Sequence, residues 1–223
     1  MSEETKLHDR ENNGFSAAAE KRLLIWMANR MPRWVNSDHL TLLGFFGMIF
    51  AGLSFWAASY NRMALVFVVV GLTVNWFGDS LDGTLARVRN QLRPRYGFYV
   101  DHMMDIFGVM ALLSGLALSI YMSPVVAGGL LMAYMLLNID IYLATHVFGV
   151  FKLSVWKFGG TELRILLAAG VLALAFRPEV HLAGEVYPLF DVAGVVSMVG
   201  IFVMAVVSVI RNTMTLYRAE TIR

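Results

Sequence analysis

The 223-residue chain contains no cysteine. That excludes disulfides, thiolate metal centres and cysteine nucleophiles, and it leaves the compartment to be read from charge. Charge is itself scarce. Only 15% of residues are Asp, Glu, Lys or Arg, against about a quarter in a soluble domain, while 58% are hydrophobic and the mean hydropathy is +0.63. Such a composition belongs to polytopic membrane proteins. The opening stretch MSEETKLHDRENNG mixes both signs; it has neither the apolar core of a secretory signal nor the acid-poor character of a transit peptide, so residues 1–15 read as a disordered tail. Internal repeats and low-complexity segments are also lacking.

Long apolar runs are abundant. About twenty apolar residues span a hydrocarbon core of about 30 Å, and six such runs follow one another: approximately Leu40–Ser59, Met63–Ala86, Gly97–Met122, Pro124–Val150, Thr161–Phe176 and Leu189–Tyr217, the fifth being the shortest. The sequence thus predicts an all-α integral membrane protein, with one membrane domain over residues 16–223 and six transmembrane helices over about 40–217. Before them, SAAAEKRLLIWMANRMPRW predicts an amphipathic helix at about 16–33. Its Leu23, Leu24, Met27 and Met31 share one face, and Lys21, Arg22, Asn29 and Arg33 the other; it reads as an interfacial anchor on the inner leaflet.

Basic residues set the orientation, because Lys and Arg in short loops stay on the cytoplasmic side. With six spans, sixteen of the 18 basic residues fall on one side, and only Arg62 and Arg177 on the other. Both termini, the Arg87–Arg95 loop and the Lys152–Arg164 segment are therefore expected to be cytoplasmic, in the plasma or inner membrane if the cell is prokaryotic. An odd number of spans would destroy the segregation.

Against this apolar background stand four aspartates in GDSLDGTLARVRNQLRPRYGFYVDHMMDIFG. Asp79, Asp82, Gly83 and Ala86 form one stripe of the second span, and Gly97, Asp101, Asp105 and Gly108 one stripe of the third. The short loop VRNQLRPR makes these helices antiparallel neighbours, so the stripes can meet. Asp79 lies sixteen residues after Met63, roughly 24 Å from the outer end of its helix, within the inner third of the bilayer. A charged Asp at the centre of a span costs about 2.5–3.5 kcal/mol, and four unpaired ones on the order of 10 kcal/mol. Positive charge must compensate. Arg87 can neutralise one; an all-oxygen donor set selects Mg²⁺ or Mn²⁺ over zinc and suits two divalent cations about 3.5–4 Å apart, which commonly hold phosphates. Gly83 and Gly97 remove side chains where a ligand would press on the backbone.

In order, Asp79, Asp82, Gly83, Ala86, Arg87, Gly97, Asp101 and Asp105 read D-x-x-D-G-x-x-A-R, a spacer, then G-x-x-x-D-x-x-x-D. This pattern resembles the signature of the CDP-alcohol phosphatidyltransferases, as do the six-span plan and the leading amphipathic helix; the nine-residue spacer Val88–Tyr96 is one residue longer than usual. The resemblance implies an enzyme of phospholipid biosynthesis that transfers a phosphatidyl or phosphoalcohol group from a CDP-linked lipid donor to a small hydrophilic alcohol and releases CMP. It further implies metal ligation by Asp79, Asp82, Asp101 and Asp105, with Asp105 also the general base, and a nucleotide lined by Gly83, Ala86 and Gly97. Arg87 would meet a phosphate or pair with an aspartate. Family members carry Pro-Asn-x-x-Thr before the first span; here VNSDHLT keeps Thr41 but has Ser37 and Asp38 in the first two places. Asp38 can accept from the cytosine amino group, or Ser37 or Asp38 can cap the helix.

Lys157, Arg164 and Arg211 near the same membrane face would suit a phosphorylated polyol acceptor and hence CDP-diacylglycerol as donor. Arg164 is poorly spaced to pair with Glu162 and is expected to be free for an anion; Lys152 reads as a snorkelling anchor. A CDP-choline or CDP-ethanolamine type phosphotransferase acting on diacylglycerol is the alternative, with Trp76, Tyr142, Trp156 and Phe158 available for a cationic group. Asp140 is expected in the pocket or bonded to Asn138 or His146. A divalent-cation channel or transporter belongs to a different class; the outer stretches MALVFVVVGLTV and FGVMALLSGLALSIYM have no ionisable group to continue a path. No nucleic acid polymer is expected as a partner. The family is often dimeric, and small-residue faces such as GVMALLSGLALS can pack between copies or within one chain.

Overall fold

The computed structural model describes residues 17–148, 160–182 and 184–220, the side chains of residues 17–19, 160 and 162 excepted. The tail at 1–15, Lys152, Trp156, Lys157 and Phe158 lie outside the described residues. The chain forms α1 (Ala17–Arg30), α2 (Ser37–Ala58), α3 (Ala64–Val88), α4 (Pro94–Ala117), α5 (Pro124–Phe148), α6 (Gly160–Leu174), strands β1 (Glu179–Leu182) and β2 (Glu185–Pro188), and α7 (Leu189–Ala219). Five of these, α2, α3, α4, α5 and α7, are long and apolar enough to cross a membrane. Helix α6 coincides with the fifth apolar run but has 15 residues, about 22 Å of helix against a core of about 30 Å.

Local chemistry explains the boundaries. Helix α2 is capped by Asn36, not by Ser37 or Asp38: the Asn36 side chain accepts from His39 N–H at 2.9 Å, and Asn36 N–H donates to His39 Nδ1 at 3.3 Å, a reciprocal cap. Helix α3 ends on Asn90, whose φ of 54° lets Gln91 N–H reach back to the Ala86 carbonyl at 2.9 Å. Pro94 then opens α4, where its missing N–H costs nothing. Between α6 and α7 the all-helical expectation fails locally. EVHL and EVYP form an antiparallel hairpin pairing Val180 with Tyr187 and His181 with Val186, and Gly184 at φ +91° supplies its turn.

Helix α2 is the hub. It packs on α3 through glycines so close that a Cβ on Gly47 would stand 2.8 Å from the Gly71 carbonyl oxygen, and one on Gly78 2.4 Å from that of Leu40. It packs on α4 in the same way, since a Cβ on Gly115 would stand 2.0 Å from the Gly52 carbonyl. Gly108 and Gly115, which lie in the small-residue face GVMALLSGLALS, are thus used within the chain. Helices α5 and α7 pack together, α5 touches α4, and α6 lies on α3. A core of Phe55, Val68, Leu72, Leu112, Val171 and Phe190 unites the helices toward the hairpin end. A second core joins α1, α2 and α3 at the opposite end through Leu24, Ala28, Val35, Leu40, Leu81 and Leu85.

Helix α1 departs from the expected face. Leu24 and Ala28 are buried and Met27 and Met31 partly so, whereas Leu23 is exposed together with Ile25 and Trp26. Arg89 fastens the segment after α1, donating to the carbonyls of Met31, Pro32 and Val35.

Candidate functional site: a carboxylate cluster between three helices

The close approach of α2 and α3 at Gly44 and Gly78 brings the first turns of α2 beside the aspartate stripe of α3, and α4 returns antiparallel to add its own. Ligand atoms from Asp79, Asp101 and Asp105 all lie within 4.8 Å of one another. These residues, with Thr41 and Asn75, line a small cavity between α2, α3 and α4. Three of the four expected ligands therefore converge.

Asp82 does not join that group. It is 8% exposed, and its carboxylate accepts from the Thr41 hydroxyl at 2.6 Å and from the N–H of Gly83, while Ser37 Oγ donates to its carbonyl at 3.1 Å. Thr41, expected beside a nucleotide, thus also orients an aspartate. Asp38 forms an ion pair with Arg93, whose guanidinium lies 4.2 Å from the Tyr96 ring centroid. The hydrogen bond to Asp38 is the main cause that raises the Arg93 pKa above its ordinary value.

The cation at the cluster is not the one expected. Arg87 is exposed, and it is Arg164 from α6 that pairs with Asp79, Nη2 to Oδ2 at 2.6 Å, and donates from Nε to Asn75 Oδ1 at 2.7 Å. The expectation that Arg164 stands free of carboxylates is corrected: spacing excluded only the neighbour Glu162, and the partner came from another helix. Asn75 is 4% exposed and donates to the Gly44 carbonyl at 3.0 Å. That bond turns its amide so that the oxygen faces Arg164.

Among the other expected residues, Ala86 is buried, Gly83 is partly exposed and Gly97 exposed. A Cβ on Gly97 would meet nothing within 4 Å, and one on Gly83 only Arg87 Nη2 at 3.7 Å, so neither glycine is required by packing. Arg211 is exposed on α7 and lines a separate cleft with Val207, Met214 and Arg218. Asp140 bonds across to α7, accepting from Ser208 Oγ at 2.5 Å and Asn212 Nδ2 at 3.4 Å, and not to Asn138 or His146. Asp191 accepts from Ser123 N–H at 2.6 Å and fastens the start of α5 to α7.

Sequence reading missed Asn75 and Glu20. Asn75 was findable: it lies one helical turn before Asp79 on the same stripe. Glu20 accepts from Trp76 Nε1 at 3.0 Å and from the Thr161 hydroxyl at 2.7 Å; its partners lie far along the chain, and no local pattern announces them. Comparison with protein-family models found no match, and comparison with curated proteins found none either.

Three carboxylates whose ligand atoms lie within 4.8 Å of one another could hold a hard divalent cation, Mg²⁺ or Mn²⁺.

Proposed function

We propose that the chain is a six-span CDP-alcohol phosphatidyltransferase of the membrane, with α6 as the short span and both termini and the carboxylate cluster on the cytoplasmic side. It transfers a phosphatidyl group from CDP-diacylglycerol to a hydroxyl of a small polar, phosphorylated polyol and releases CMP. The observation that carries this reading is the convergence of Asp79 from α3 with Asp101 and Asp105 from α4, in the sequence order that resembles that family. The apolar core toward the hairpin end favours a site over a channel: Ser54, a buried polar side chain there, bonds back to the Phe50 carbonyl of its own helix at 2.7 Å.

In this reading Asp79, Asp101 and Asp105 would hold divalent cations, with Asp82 joining them only if its carboxylate turns from Thr41; bound there, the ions would neutralise charge on the diphosphate and on the departing CMP. The residues themselves divide the remaining work. Thr41 and the Gly83 N–H keep the Asp82 carboxylate turned toward α2. Gly83, Ala86 and Gly97 leave the surface on which the nucleotide lies, and Arg87 meets a phosphate. Asp105 takes the proton of the acceptor hydroxyl as its oxygen bonds to the phosphatidyl phosphorus; the bond from that phosphorus to the CMP oxygen breaks, and CMP leaves. Arg164, anchored on Asp79 and Asn75, supplies positive charge for a phosphorylated acceptor, whereas Arg211 lines a separate cleft.

The test is release of labelled CMP from CDP-diacylglycerol by purified protein in detergent with Mg²⁺, across inositol phosphate, glycerol phosphate, inositol and serine. Asp105→Asn should lower acceptor-dependent release by about 10²–10⁴-fold, the usual worth of a general base. Release from CDP-choline or CDP-ethanolamine onto diacylglycerol, with none from CDP-diacylglycerol, would reassign the donor; no release from any donor by a folded protein would refute the enzyme.

A further inference from the structure

The buried stripe of α1 runs Leu24, Met27, Ala28 and Met31 and extends backward, four residues before Leu24, to Glu20. A helix that only anchors to a lipid surface gains nothing from a carboxylate on its inward face, and burying one without partners is costly. Glu20 is partly buried and has two partners on two other helices: Trp76 on α3 and Thr161 in the first turn of α6. Each partner adjoins the Arg164 clamp. Trp76 follows Asn75, which accepts from Arg164 Nε, and Thr161 lies three residues before Arg164 on the same face of α6. A carboxylate at the start of α6 is also favoured by the helix dipole.

We propose that Glu20 is a positioning residue for the site: one carboxylate oxygen joins α3 to the first turn of α6 and so holds the Arg164 guanidinium against Asp79 and Asn75. Helix α1 is then part of the machinery, acting through Arg164 and touching no substrate. The inference rests on the transferase reading for its consequence in activity, but not for the contact itself.

The first arm of the test needs no activity. Hydrogen exchange in purified full-length protein should show amides of α6 exchanging about tenfold faster in Glu20→Ala, with α2 and α3 near Gly47 and Gly71 unchanged. Glu20→Gln keeps an acceptor oxygen for both donors and should restore most of the protection. The second arm is a double-mutant cycle on CMP release. Glu20→Ala should raise the acceptor KM about tenfold, and add little in an Arg164→Gln background, because both changes remove the same guanidinium placement. Unchanged exchange in α6, or Glu20→Gln behaving like Glu20→Ala, overturns the proposal, as does full additivity with Arg164→Gln. If the wild-type chain releases no CMP, the transferase reading fails, and the exchange arm alone decides whether Glu20 holds α6.

Discussion

At the scale of single residues, carboxylates gathered in an apolar surrounding must be balanced, and the guanidinium of Arg164 balances one. Cation binding among these carboxylates would give a thermodynamic handle. A cation that binds the folded site at a concentration 100 times its Kd stabilises the protein by about 2.7 kcal/mol. The wild-type melting temperature should therefore rise with Mg²⁺ and fall back with EDTA, and Asp101→Asn should abolish the rise while leaving the protein folded. A rise equal to that of the wild type would remove Asp101 from the ligand set. The identity of the four aspartates was legible because charge inside an apolar run stands out and helical spacing puts each pair on one face. Their counter-charge was not legible. Arg164 is 85 positions from Asp79, and Asn75 is 89 from Arg164; spacing arguments reach only within a helix. Asp82 shows the same limit, since the turn of its side chain toward Thr41 depends on how α2 crosses α3.

At the scale of helices, the apolar runs gave the elements and nearly their ends, with α2, α3, α5 and α7 each starting or stopping within a few residues of the expected limits. The short loop suggested that α3 and α4 pack as neighbours; instead each packs on α2, and it is their aspartate side chains that meet. What was hidden is how closely the helices approach, because a glycine in an apolar run can mean contact or open space alike. The structure separates the two kinds, and mutation should as well. Gly115→Ala forces a Cβ to within 2.0 Å of the Gly52 carbonyl and should destabilise by about 1–3 kcal/mol, seen as a lowered melting temperature in detergent. Gly97→Ala meets nothing within 4 Å and should hold or slightly raise the melting temperature, since Ala exceeds Gly in helix propensity by up to about 1 kcal/mol. In the transferase reading it should nonetheless raise the KM for the CDP-linked donor severalfold, by crowding the nucleotide.

At the scale of the whole molecule, the segregation of basic residues predicts which end faces which compartment. The absence of cysteine makes this directly measurable. Leu92, exposed between α3 and α4, and His181, exposed on the hairpin, lie at opposite ends of the spans. In intact cells a membrane-impermeant maleimide should label His181→Cys and spare Leu92→Cys until the cells are opened; the reverse pattern would invert the topology. The hairpin escaped sequence reading because attention to long apolar runs passes over twelve residues of RPEVHLAGEVYP, although Ala-Gly between two short extended runs is a turn signal.

The glycine contacts of α2 also bear on motion. Beside each glycine stands a larger residue: Met48 after Gly47, Leu53 after Gly52, Leu116 after Gly115. A slide of α2 by one residue, about 1.5 Å, would drive such a side chain toward a partner backbone that now has room only for hydrogen. Helix α2 is thus an axle, seated in α3 on one side and α4 on the other. In the transferase reading, the breathing that would admit a bulky two-chain lipid falls to α5, α6 and α7, so slow exchange should concentrate on the axle and fast exchange on its surroundings.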